Sequence, residues 1–126
     1  MKTIKTRTGE FFVDEDNILH VVMFADVVVD YEDAVDNFLV MKNLTSNQPC
    51  IKLIDLVNNP TFESKAKAYI KNKEVQSLTI ARAVLTDNNV KKLSLNFLLK
   101  FSAGKVRAKF FTDYNDAITW LKMFQK

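Results

Sequence analysis

The stretch CIKLIDLVNNPTFESKAKAYI, residues 50–70, passes from an apolar run through an Asn-Asn-Pro break into a segment with Phe62, Ala66 and Tyr69 or Ile70 at helical spacing. A short apolar run ended by turn residues reads as a buried strand, and an i, i+4, i+7 recurrence reads as one face of a helix. The junction is a β-to-α unit, and the rest of the chain repeats it. Upstream, EFFVD (10–14) and NILHVVMF (17–24) are apolar strands joined by the polar turn DEDN, a hairpin signature. YEDAVDNFLVMKNL (31–44) follows as an amphipathic helix with Ala34, Phe38 and Met41 inward. Downstream, SLTIARAVLT (77–86) is a strand, NNVKKLSLNFLLKFSA (88–103) a helix stopped by Gly104, KVRAKFF (105–111) a strand and YNDAITWLKMFQ (114–125) a closing helix.

The order is therefore ββαβαβαβα in a single domain over residues 1–126. Strands alternating with single helices require crossover connections and parallel pairing. The expected fold is α/β: a mostly parallel, mixed five-stranded sheet with an antiparallel N-terminal hairpin. A content of 48% hydrophobic and 26% charged residues fits one ordinary packed core.

Composition also excludes functions. With Gly9 and Gly104 the only glycines, neither a phosphate loop nor a dinucleotide-binding turn can be built. A single histidine, His20, and a single cysteine, Cys50, leave no nucleophile–base–orienter set, so a binding role is expected rather than an enzyme. The lone cysteine rules out an internal disulfide, supplies no metal cluster and implies a reducing, cytoplasmic setting. The segment MKTIKTRTGE lacks a signal peptide's apolar core, and no run reaches the ~20 apolar residues of a membrane span, so an integral membrane protein is not expected. Charge is lopsided: residues 1–63 carry a net −6 and residues 64–126 a net +9. Such a chain could pair with a second copy as a homodimer or meet an anionic partner, or the charges could mix once folded.

The segments TIARAVLTDN and KVRAKFFTDYNDAITWL, with Ala117, Trp120 and Leu121 closing the pattern, resemble the SpoIIAA-like group related to STAS domains. The resemblance follows the element order over nearly the whole chain and rests on packing motifs. It implies a SpoIIAA-like fold and a regulatory protein-interaction domain of the anti-sigma-factor-antagonist type. That type carries a phosphorylatable serine after the third strand. Asp55 matches the strand end and Glu63-Ser64 the serine position, while Lys65 and Ala66 stand where a second serine and a glycine would be. The wider group is also likened to CRAL-TRIO lipid-transfer domains, which implies a carrier or sensor of an apolar small molecule.

The candidate sites carry two readings each. Asp55, Asn58, Asn59, Glu63 and Ser64 form an interaction or phospho-regulatory loop, or else a capped turn with Thr61 as N-cap and Ser64 three residues inside. Asp55, Asp87 and Asp113 end strands, where carboxylates could hold a metal, yet Asp87 and Asp113 also stand at N-cap positions; no metal or cofactor is expected. Leu95, Leu98 and Leu99 widen the apolar face of the third helix, as core or as an apolar ligand or partner surface. Lys105, Arg107 and Lys109 alternate on one side of the last strand, a charge-guarded edge or an anion stripe. Without interleaved surface aromatics or a known module, nucleic-acid binding is not expected. His20 reads as a hydrogen-bonded strand residue and Cys50 as a small packed side chain. The protein partner stays unnamed at this level.

Overall fold

The structure is a computed structural model and describes residues 2–87, 95–99 and 106–125. Strands β1 (Thr3–Lys5), β2 (Gly9–Val13), β3 (Ile18–Met23), β5 (Cys50–Asp55), β7 (Thr79–Leu85) and β8 (Arg107–Phe111) form one sheet in the order β1-β2-β3-β5-β7-β8. β2 and β3 pair antiparallel, as the hairpin pattern requires, and β3-β5-β7-β8 are parallel. The mixed, mostly parallel α/β sheet is as expected. The difference is β1, a sixth strand paired antiparallel with β2, whose three residues lie in a polar segment with too few positions to show alternation. A second sheet of two residues per strand joins β4 (Val28–Val29) to β6 (Thr61–Phe62).

Helix α1 (Tyr31–Leu44) coincides with the amphipathic segment. Its start is fixed by a capping box: Asp33 N–H donates to Asp30 at 2.8 Å, and Asp30 N–H donates back to Asp33 at 3.0 Å. Asp33 also takes two bonds from the guanidinium of Arg7, one of them Nε to Oδ1 at 2.9 Å. From the same loop, Thr6 donates to Asn37 at 2.7 Å, and Asn37 donates to Thr8 at 2.9 Å. The β1–β2 connection thus clamps the first half of α1. Beside it, Gly9 has no room for a side chain, since a Cβ would lie 2.8 Å from the Val22 carbonyl oxygen.

The segment read as one helix from Thr61 is a β6 strand, then α2 (Ser64–Ile70), then α3 (Lys73–Ser77). Thr61 is not its cap. Thr61 and Glu63 instead donate to the Val27 and Val29 carbonyls at 2.9 and 3.0 Å, which holds them extended. Glu63 is the N-cap, without a side-chain bond, and Ser64 is the first helical residue. Asn72 caps α3 by accepting from Val75 N–H at 2.9 Å. Of the third predicted helix, the described part is a 3₁₀ turn at Asn96–Leu98; its other residues and the Gly104 cap lie outside the described residues.

Helix α4 (Tyr114–Lys122), capped by Asp113, covers one sheet face with Ala117 and Leu121 fully buried on Ile18, Leu53, Ala81 and Ala83. The other face lies under α1, α2 and the 3₁₀ turn, with Leu19, Val21, Met23 and Val84 in its core. Both faces of the central strands are therefore buried.

The cap predicts a measurable cost. Arg7 first, then backbone donation from Asp30, hold the Asp33 carboxyl below the usual range against the opposing pull of burial. A depressed carboxyl adds stability above its unfolded pKa and loses it as the pH falls through the folded one. Asp33→Ala is expected to lower unfolding stability by about 1–2 kcal/mol at neutral pH. The gap from wild type should shrink in denaturant titrations taken from about pH 6 to about pH 3. A constant gap would remove the ionic part of this account.

Candidate functional site

The loop after β5 is pinned at several points. Asp55 accepts from Val57 N–H at 3.0 Å, Asn58 donates its side-chain N–H to the Met23 carbonyl at 3.3 Å, and Asn59 turns the chain with φ 58°. Asn58, Asn59, Glu63 and Ser64 are exposed, and Ser64 directly follows the Glu63 carboxylate. Leu95 and Leu98 are buried, at 6% and 2% exposure, and Leu99 is half-buried; they pack inward and do not form a displayed apolar face. Arg107 and Lys109 are exposed on the edge strand β8, and Lys109 lies 5.4 Å over the Phe111 ring. Lys105 lies outside the described residues.

Asp113 caps α4 by accepting from Asp116 N–H at 2.9 Å, whereas the helix assigned to Asp87 lies outside the described residues. Among the described residues no cluster of three or more His, Cys, Asp or Glu side chains has metal-binding geometry. No helix among them is long and apolar enough to cross a membrane. His20 is buried against α4, stacked 4.5 Å from Phe12 and 2.7 Å from the Asp14 carboxylate. Burial alone would raise the Asp14 carboxyl; the His20 contact and N–H donation from Ile18 and Asp16 outweigh it and hold it low.

The feature that sequence reasoning missed lies beneath α1 and α2. A cavity of about 60 Å³ lies there. Met23, Phe38, Met41 and Leu98 are among its apolar walls. Its floor carries two cations. Lys52 on β5 and Arg82 on β7 are register partners on the same sheet face, only 3% and 1% exposed. The Arg82 guanidinium donates to the Leu98 carbonyl at 3.1 Å. Among the described residues, no hydrogen bond or ion pair reaches the Lys52 ammonium, and no acidic residue lines the cavity.

Burial, then the neighbouring Arg82, pushes the Lys52 pKa down to about 8, against a weaker opposite pull from Cys50. Burial pushes Arg82 down to about 10, so it stays protonated at neutral pH. Desolvation likewise raises the Cys50 thiol, which keeps it neutral beside the two cations. A signal for this pair exists in the sequence. In CIKLIDL and TIARAVL a lone cation interrupts the apolar run of a central strand, and only the pairing register shows that the two meet.

A family model described as a domain of unknown function, DUF7793, matches residues 11–125, and the chain belongs to that family. No curated protein matches it. Among solved structures, an uncharacterized protein of the DUF3478 family with a SpoIIAA-like fold, from Shewanella loihica PV-4, is similar at a TM-score of 0.55 and 15% identity over 95% of this chain and 90% of that one. At that identity the likeness establishes a SpoIIAA-like fold. A protein of unknown function from Arthrobacter sp. FB24 aligns at 22% identity over 95% and 97% of the two chains, with a TM-score of 0.34.

The buried cation makes the fold sensitive to alkali in a definite direction. Between about pH 8 and the ordinary lysine range, the unfolded chain holds the Lys52 proton and the folded chain has released it, so this group favours folding increasingly as the pH rises. Lys52→Met is expected to raise stability by about 3 kcal/mol at pH 7, with the gain fading toward about pH 10. Because Lys52 and Cys50 act on each other's titration, both proteins are compared in a Cys50→Ala background. A variant no more stable than wild type at pH 7 would contradict an unpaired buried ammonium.

Proposed function

We propose that this DUF7793 domain is a non-catalytic binding module whose cavity beneath α1 and α2 takes up a compact, largely apolar small molecule. The observation that carries the reading is the cavity itself, centred on the buried face of the sheet. Well-packed cores leave few voids larger than a water molecule, and this one has room for more, at about 60 Å³. Met23 and Met41 in its walls are unbranched side chains that can adjust to a guest. The resemblance to lipid-transfer domains noted in the sequence points the same way.

A thermal-shift panel of small apolar compounds tests this. A fitting guest is expected to stabilise wild type by about 3 kcal/mol at a concentration near 100 times its Kd. Ala34, buried on α1, faces the cavity, so Ala34→Leu should fill it and remove the response. A panel without effect on wild type, or an undiminished response in the variant, would remove the cavity reading.

A second reading, a regulatory protein contact of the anti-sigma-antagonist type, is favoured by a different observation. Val28 on β4, Tyr31 at the start of α1 and Val57 in the pinned loop are large apolar residues exposed at 48%, 48% and 37%. Self-association through this face is its simplest form. Light scattering should then give a dimer for wild type and a monomer for Val57→Asp; a wild-type monomer excludes the homodimer.

A further inference from the structure

We infer that the cavity is a receptor for a short-chain carboxylate, held by its head at the Lys52 ammonium and by its tail against Met23, Phe38 and Met41, an inference that rests on the cavity being a binding site. The argument starts from charge. Lys52 is buried at 3% exposure, lines the cavity and has no hydrogen-bond or ion-pair partner among the described residues. The adjacent Arg82 doubles the positive charge at the same spot. Of the described neutral polar residues lining the cavity, Asn37 and Tyr69, the first already engages Thr6 and Thr8, and the nearby Cys50 thiol brings no negative charge at neutral pH.

A buried ion without a counter-charge is among the most destabilising features a core can hold, and an apolar side chain would fit the same strand position. Such features persist where they serve a site. The ammonium remains mostly protonated at neutral pH even with its pKa near 8. With the Arg82 guanidinium already engaged at the Leu98 carbonyl, the complement of the Lys52 ammonium among apolar walls is a monoanion with a hydrocarbon tail, and a charge-assisted bond in that setting is stronger than one in water.

Size limits the class. An engineered cavity of about 150 Å³ accepts the six carbons of benzene, so by the same ratio about 60 Å³ accepts roughly two or three heavy atoms, a carboxylate head, and any tail needs the methionines to move aside. A phosphate monoester would bring a second charge and a bulkier head into walls that offer mostly carbon.

The test compares acetate and propionate with ethanol and 1-propanol by calorimetry and amide chemical shifts, on the full chain at neutral pH. Wild type is expected to bind each carboxylate at least tenfold more tightly than the matching alcohol, with shifts centred on Val21, Met23 and Ile54. Lys52→Met should lose that preference while keeping its affinity for the alcohol, and Lys52→Arg should retain much of the preference. If alcohols bind as well as carboxylates, or Lys52→Met binds both unchanged, the anionic head is refuted and the cavity reading stands. If no probe binds at the cavity, the cavity reading falls and this inference with it.

Discussion

The central strands β5 and β7 have no solvent side. Parallel strands joined by helical crossovers are covered above and below, so the side chains along their middles are expected to be apolar. Most of this chain obeys: Ile51, Leu53, Ala81 and Ala83 face α4, and Ile54 and Val84 face α1 and α2. Lys52 and Arg82 are the departures, and both point to the face that contains the cavity. A rule broken twice at neighbouring register positions, on one side of one sheet, is a local arrangement and not scattered imperfection.

The roof over that face is held by polar contacts at some remove from it. Arg7, Thr6 and Thr8 belong to the β1–β2 connection, yet their bonds end on Asp33 and Asn37 of α1. Ala34, Phe38 and Met41 occupy the adjoining turns of the same helix and form its cavity wall. The first strand, the least conspicuous in the sequence, therefore helps to set how far the helix stands above the sheet. The Gly9 approach to the Val22 carbonyl fixes the same corner from below.

Legibility followed the strength of local signals. Helix α1 could be read to its ends because its apolar residues recur at helical spacing. Asp113 was legible as a cap from its place before the closing helix, and the alternating cations of β8 marked an edge that the topology confirms. Thr61 misled because a good capping residue was drawn into pairing with β4, a contact 33 positions away in sequence that local pattern cannot register. The leucines at 95 and 98 looked surplus to one helical face, and the structure packs both inward around a short 3₁₀ turn. Lys52 and Arg82 stayed hidden for a related reason. Each alone resembles an ordinary charged residue in a strand, and their significance comes from sharing a register across 30 residues of chain.

Cys50 sits at the N-terminal end of β5, two residues from Lys52, buried with its sulfur 3.8 Å from the Leu78 carbonyl oxygen. Being the only sulfhydryl in the chain, it makes the protein its own reporter. Alkylation by a bulky reagent requires the strand end to separate from its surroundings, so the labelling rate measures how often the core breathes at that point. Anything that tightens the neighbouring interior should slow this chemistry without ever touching the sulfur.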